Sequence, residues 1–288
     1  MPAYFERHWT SRDGLTLYAR DYPVSGDEEG LPVIALHGLT RNSKDFEDVA
    51  PLIAMGRRVV VPDVRGRGRS EWDPNPSRYQ PKIYARDVTD MMKAMEIDRA
   101  VFIGTSMGGI ITMALAAMRP RAVAAAILND VGPAVAPEGI ARILSYAGQA
   151  ASIRGWDDAA GYMAKTNGVA FPAFGEDEWM AMARRTFRER DGVPQLDYDP
   201  AISVVLSKPP SRFAGWIAGL LFRKLARKRP TLLLRGELSD VISADIASRM
   251  QRVAPGMQRV DIPKVGHAPM LTEPSAVDAI RNFLRTVP

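Results

Sequence analysis

Three stretches of this chain carry residue types that could together perform nucleophilic chemistry. The first is Gly104-Thr105-Ser106-Met107-Gly108, a Gly-x-Ser-x-Gly sequence between an apolar run (AVFI) and an apolar helix pattern (MGGIITMALAAM). A serine on a sharp strand-to-helix turn is lifted clear of the sheet edge with its hydroxyl exposed. Glycines two before and two after it remove Cβ atoms that would meet neighbouring backbone. The following helix aims its first amides at this spot, which places the Met107 N–H to donate to a developing oxyanion. An isolated serine of this kind is commonly only a helix cap. The buried strand before it and the apolar helix after it set Ser106 apart.

A serine hydroxyl is a weak nucleophile until a base takes its proton. The chain has three histidines. His8 falls in an N-terminal strand pattern and is expected to be partly exposed. His37 opens His37-Gly38-Leu39-Thr40 after an apolar run and is expected to fix that loop by hydrogen bonds, with the Leu39 amide as a second oxyanion donor. His267 lies in Lys264-Val265-Gly266-His267-Ala268-Pro269, after the last strand pattern. Loops at the carboxyl ends of parallel strands hold the sites of open α/β sheets. In the chain order serine, acid, histidine the base comes last, so His267 is the expected base.

The acid should follow a strand. Residues 231–235 (TLLLR) lead into Gly236-Glu237-Leu238-Ser239-Asp240, which puts Glu237 and Asp240 near a strand end. Asp240 lies further into the loop, just before the next helix pattern, and is preferred, although an aspartate there is also an ordinary helix cap. Asp130, after AILN, is the alternative.

Short apolar runs alternating with helix patterns position these residues. Residues 4–10 and 15–22 read as β-strands joined across Asp13-Gly14, a hairpin signal. Residues 32–36, 58–62, 100–104 and 123–129 are continuous apolar runs, as expected for strands buried on both faces. Helix patterns occupy 43–55, 83–95 and 107–118. From about residue 131 to 210 the strand rhythm stops, and Met and aromatic residues become frequent. It returns with a strand at 231–235, a helix at 243–253, a strand at 258–262 and a helix at 275–284. The pattern predicts a doubly wound, mostly parallel α/β sheet interrupted by a mostly helical insertion. The divisions are residues 1–132 and 211–288 for the core and 133–210 for the cap. The Met and aromatic residues of the insertion either roof an apolar pocket, as adaptable side chains do, or form the insertion's own small core.

With 288 residues, 46% hydrophobic and 25% charged, the chain can bury one sizeable core. It has no cysteine, hence no disulfide framework and no thiolate chemistry, in keeping with a reducing, cytoplasmic setting. Neither a secretory leader pattern nor an apolar run long enough to span a membrane is present in the sequence. The net charge of +5 comes from cations spread along the chain. The densest run, at residues 223–229 (RKLARKR), is expected to be the charged end of a helix rather than a nucleic-acid site. The stretch Asp63-Val64-Arg65-Gly66-Arg67-Gly68-Arg69-Ser70 lacks the Gly-Lys-Ser/Thr ending of a phosphate loop. It reads as a tight turn held by Asp63 and Arg65.

Taken together, HGLT at 37–40, DVRGRGRS at 63–70, GTSMGG at 104–109, RGELSDVI at 235–242 and VGHAP at 265–269 resemble the α/β-hydrolase superfamily over nearly the whole chain. The order and spacing are similar to the branch of small esterases, lactonases, cofactor-free haloperoxidases and carbon–carbon bond hydrolases. The resemblance implies an eight-stranded sheet with a helical cap between its sixth and seventh strands, a Ser106-Asp240-His267 triad, and oxyanion donors at Leu39 and Met107. It implies hydrolysis of a small, largely apolar ester or lactone through an acyl-enzyme, without metal or organic cofactor. Carbon–carbon cleavage, perhydrolysis and non-catalytic small-molecule binding are the alternatives. Ser106 stands where haloalkane dehalogenases and epoxide hydrolases carry Asp, and the HGxGPG loop of ring-cleavage product hydrolases is absent.

Overall fold

The computed structural model describes residues 3–27, 30–148, 153–206 and 213–288. In chain order the strands and α-helices are β1 (Phe5–Thr10), β2 (Thr16–Tyr22), β3 (Val33–Leu36), α1 (Ala50–Ile53), β4 (Val59–Asp63), α2 (Pro81–Ala94), β5 (Ala100–Thr105), α3 (Met107–Met118) and β6 (Val123–Asn129). The insertion follows with α4 (Pro137–Tyr146), α5 (Trp156–Asn167), α6 (Glu176–Thr186), β7 (Phe187–Arg190), β8 (Val193–Leu196) and α7 (Ser203–Leu206). The core resumes with α8 (Ala214–Ala226), β9 (Thr231–Gly236), α9 (Ala244–Val253), β10 (Gln258–Ile262) and α10 (Pro274–Arg285).

Eight strands form one sheet in the order β1-β2-β4-β3-β5-β6-β9-β10. β1 and β2 are antiparallel to each other, and β2 is antiparallel to β4; the rest pair in parallel. This is the doubly wound, mostly parallel α/β sheet expected from the alternating runs.

The central strands are apolar along their length because both faces are covered. Ile34, Leu36, Phe102, Ala126, Leu128 and Leu233 face a core shared with α2, α3, α8 and α9. Their neighbours Val33, Ala35, Val101, Ile103, Ile127 and Leu232 face a second core closed by α1 and α10. The side-chain period of two alternates each strand between the two cores. Burying each such Leu, Ile or Phe contributes roughly 1.5–3 kcal/mol.

The expected helix over 43–55 is instead a 3-10 turn (Ser43–Phe46) and the short α1. The Asn42 side chain caps the turn by accepting from the Lys44 amide. Pro51, near the start of α1, has no N–H to carry a helix back through residue 47. The run at 223–229 does cover a helix end: Arg223 and Lys224 lie in the last turn of α8, where cations suit the helix dipole. His8 is exposed on β1, edge-on to Tyr18.

The insertion is not all helix. β7 and β8 form a two-stranded hairpin across Asp191-Gly192, both at positive φ. That backbone is the one an Asp-Gly hairpin turn adopts, so this dipeptide sets a hairpin inside the expected helical insertion.

The stretch after β4 is an ion-pair hub. Arg65 is almost fully buried and donates to Asp87, Asp73 and Asp13 at 2.6–3.0 Å. Asp63 accepts from the Ser43 and Arg69 amides, so both residues expected to hold this turn do so. Replacing Arg65 by Met would leave the carboxylates of Asp13, Asp73 and Asp87 facing one another, with the exposed Arg78, 3.6 Å from Asp13 and 3.8 Å from Asp73, as the remaining cation among the described ion pairs. We expect Arg65→Met to lose about 3–5 kcal/mol of stability in urea unfolding. A loss within measurement error would mean the hub is not structural.

Candidate active site

Parallel register brings five strand ends to one edge of the sheet. Leu36 pairs with Gly104, Thr105 with Asn129, Asn129 with Leu234, and Gly236 with Ile262. The loops that follow β3, β5, β6, β9 and β10 therefore converge, bringing His37, Ser106, Asp130, Asp240 and His267 to the same edge.

Ser106 sits between β5 and α3 with φ 50° and ψ −113°, a backbone region that non-glycine residues rarely occupy. The crowding around it explains the flanking glycines. A Cβ on Gly108 would lie 2.1 Å from the Leu36 carbonyl oxygen, and one on Gly104 would lie 2.5 Å from the Gly109 amide. The Ser106 amide donates to the Asn129 carbonyl at 3.0 Å, which ties the turn to the end of β6.

His267 meets Ser106 as the sequence predicts: its Nε2 is 3.0 Å from the Ser106 Oγ. The group behind the imidazole is not the preferred one. His267 Nδ1 lies 2.8 Å from Asp130 Oδ2, and Asp130 is completely buried. The Asp130 carboxylate also accepts from the Gly236 amide (3.0 Å) and the Ser239 hydroxyl (2.5 Å). Such donors replace the water that a buried carboxylate gives up. Asp130 is itself at positive φ, 51°, which aspartate tolerates better than most residues.

Asp240, the acid expected from the sequence, is not the partner of His267. Its carboxylate turns toward the insertion, where both oxygens accept from Arg142 of α4 at 2.5 and 2.8 Å. Burial works to raise its pKa, but the Arg142 hydrogen bonds and charge outweigh this and hold it below the ordinary value. The physical reason lies one residue earlier. The Ser239 Oγ donates to Asp130 and accepts from the Val241 and Ile242 amides, so Ser239 is the residue of this loop that faces the imidazole's partner. Glu237 also points elsewhere, accepting from the Lys264 amide.

His37 is a loop brace. Its Nδ1 donates to the Gly38 carbonyl (2.7 Å) and its Nε2 accepts from the Val64 amide (3.0 Å), the pattern of one neutral tautomer. Complete burial pushes its pKa from 6.5 down to about 4. Arg67, which sequence reasoning did not single out, is buried beneath the next residues. Its Nε donates to the Leu39 carbonyl at 2.9 Å, and its Nη2 lies 3.6 Å from the Met107 sulfur. One guanidinium thus touches both residues expected to supply oxyanion amides. Among the described residues, neither the Leu39 nor the Met107 amide has a hydrogen-bond acceptor.

A cavity of about 100 Å³ opens over Ser106 and His267. The insertion supplies part of its roof through Tyr162, Met163, Phe171 and Met182. Phe174 and Trp179 instead pack on Phe171 in an aromatic cluster. The Met and aromatic residues of the insertion therefore divide between roof and small core. Polar groups reach the same cavity from Thr40, Arg41, Asp45 and Thr186. Among the described residues, no group of three or more His, Cys, Asp or Glu is arranged to hold a metal ion, and no helix is long and apolar enough to cross a membrane.

Residues 32–274 match the family described by the alpha/beta hydrolase fold. The chain is similar to a crystallised alpha/beta hydrolase from Novosphingobium aromaticivorans, with 42% identity, 99% of each chain covered and a TM-score of 0.90. It is 32% identical over 273 residues to the 3-hydroxybutyrate-oligomer hydrolase of Cupriavidus necator, covering 93% of each. A more partial likeness, 33% over 128 residues, joins it to a non-heme chloroperoxidase of Streptomyces lividans, covering 44% of this chain and 45% of that one.

The brace at His37 has a measurable consequence. The folded state resists a proton that the unfolded chain binds below about pH 6.5. The stability His37 contributes is therefore fully present above pH 6.5 and is lost as pH falls toward 4. The lowered pKa corresponds to roughly 3 kcal/mol. In urea titrations from pH 7 to 4, wild type should lose more stability than His37→Gln. Parallel curves would contradict the assignment of a neutral buried imidazole.

Proposed function

The chain belongs to the α/β-hydrolase family, and from that premise we propose that it is a serine hydrolase that cleaves carboxylic esters through an acyl-enzyme. The observation that carries the proposal is the continuous relay from the Ser106 hydroxyl through His267 to the Asp130 carboxylate, at 3.0 and 2.8 Å. Those are the distances and the order a nucleophile, a general base and its orienting acid require.

In this reading His267 Nε2 takes the Ser106 proton as Oγ attacks the ester carbonyl carbon. The carbonyl oxygen becomes an oxyanion held by the free amides of Leu39 and Met107. The tetrahedral species collapses with loss of the alcohol, which His267 protonates. A water deprotonated by the same imidazole then attacks the acyl-enzyme, and the acid leaves with Ser106 restored. Asp130 holds the Nδ1–H tautomer and stabilises the imidazolium. Asp240 takes no part in proton transfer; its place is in the ion pair with Arg142.

The substrate class we propose is short esters of hydroxy acids. The likeness to the Cupriavidus necator hydrolase over nearly both full lengths supports it. So does a cavity that combines an apolar roof with a charged wall at Arg41 and Asp45. Lactones remain within reach of the same chemistry, because their carbonyl presents the same electrophile.

Ser106→Ala should abolish ester turnover and covalent labelling by a fluorophosphonate probe. Asp130→Asn should lower kcat by about a thousandfold or more, as expected when the tautomer is lost. Asp240→Asn should cost far less. A Ser106→Ala protein with wild-type activity, or an Asp240→Asn loss matching that of Asp130→Asn, would overturn the mechanism.

A further inference from the structure

Among the described residues that line the cavity over Ser106, Arg41 is the one arginine or lysine. Arg41 follows the His37 loop and lines the cavity together with Ser106. Its Cγ lies 3.5 Å from where a Cβ on Gly38 would sit, and that same point is 3.9 Å from the Ser106 Cβ. The Arg41 stem therefore passes beside the nucleophile turn. The side chain is 15% exposed and its partner Asp45 16%, and both line the cavity.

The guanidinium is held in a fixed pose. Nε and Nη2 donate to the Asp45 carboxylate at 2.6–2.9 Å, and Nη1 donates to the Thr186 hydroxyl at 2.5 Å. The Thr186 hydroxyl in turn donates to the Met182 carbonyl. A guanidinium has five N–H donors. Asp45 takes the side-on pair, and Thr186 takes one of the two hydrogens on Nη1. Among the described residues, one hydrogen on Nη1 and one on Nη2 have no acceptor. Donors on two adjacent nitrogens, pre-oriented by an ion pair and lining an apolar-roofed cavity, suit the two oxygens of a carboxylate.

We propose that Arg41 is a specificity-determining residue that binds a free carboxylate on the substrate, so that the preferred esters are 3-acyloxy carboxylates rather than neutral esters. This rests on the serine-hydrolase reading of the same site and narrows it. In a 3-acyloxy carboxylate the ester oxygen and the carboxylate carbon are separated by only two carbons. A short tether of this kind lets one compact cavity hold the scissile carbonyl at Ser106 and the anion at Arg41. Asp45 has a second role here. Its charge offsets that of Arg41, so the anion is held by directed hydrogen bonds more than by net charge, and the product acid can leave.

The test compares 3-butyryloxybutyrate with its methyl ester, which lacks the charge and adds one methyl group, and follows release of butyrate because the methyl ester has a second ester bond. Wild type should favour the free acid in kcat/KM, mainly through a lower KM. In Arg41→Gln, whose amide can still bond Asp45 or Thr186, that preference should fall at least about tenfold through the KM of the acid. Titration calorimetry on Ser106→Ala should show tighter binding of the acid than of the ester, and Ser106→Ala/Arg41→Gln should lose the difference. An unchanged preference in Arg41→Gln, equal losses on both compounds, or no binding of the acid by Ser106→Ala would overturn the proposal. Failure of the underlying reading looks different: Ser106→Ala would keep turnover, or wild type would escape fluorophosphonate labelling.

Discussion

Asp130 is a carboxylate with no solvent contact, at the end of a central strand and in a left-handed backbone conformation. Burying a carboxylate costs several kcal/mol unless hydrogen-bond donors replace its water. Here three donors do so: the Gly236 amide, the Ser239 hydroxyl and the His267 ring. They come from the end of β9 and from the loops after β9 and β10. One buried charge thus fastens three strand ends together, and the imidazole cannot swing away from Ser106 without leaving that charge short of a partner. Asn129, the residue before it, adds a bond from its side-chain amide to the Pro269 carbonyl, which secures the far side of the histidine loop.

A second buried charge organises the other half of the site. Arg67, packed against the rings of Tyr79 and Tyr84, reaches the Leu39 carbonyl and the Met107 sulfur. The peptide plane that carries the Leu39 N–H is that of the Gly38 carbonyl, which His37 Nδ1 holds, and Arg67 fixes the next plane through the Leu39 carbonyl. The insertion is joined to this frame by polar links. Arg142 grips Asp240, the Gly266 amide donates to Ala170, and Arg41 bonds Thr186. The roof over Ser106 and the loops that carry the relay are therefore mechanically connected.

Much of this was legible in the residues. Continuous apolar runs identify strands covered on both faces, and a Gly-x-Ser-x-Gly turn between such a strand and an apolar helix identifies Ser106. Chain order singles out His267. The choice between Asp130 and Asp240 was not decidable in the same way, because both follow strands and both precede regions able to hold a carboxylate. It turns on which side chain at the end of β9 points inward. Ser239 does, through bonds to Val241, Ile242 and Asp130 that depend on the folded loop. Asp240, next along, then faces outward to Arg142, a residue nearly a hundred positions earlier. Arg67 was hidden for a related reason: in the chain it is one of several cations in a glycine-rich turn, and only packing shows which reaches the Leu39 carbonyl and the Met107 sulfur. The β7–β8 hairpin is a different case, since Asp191-Gly192 announced it within an otherwise helical stretch.

The most direct measurement of the central geometry is the proton resonance of the His267 Nδ1–H. A ring N–H donating to a buried carboxylate is shielded from exchange and shifted downfield. With Asp130 as its acceptor, that resonance should be present in wild type and in Asp240→Asn, and should vanish or move far upfield in Asp130→Asn. A resonance that survives in Asp130→Asn and is lost in Asp240→Asn would contradict the account.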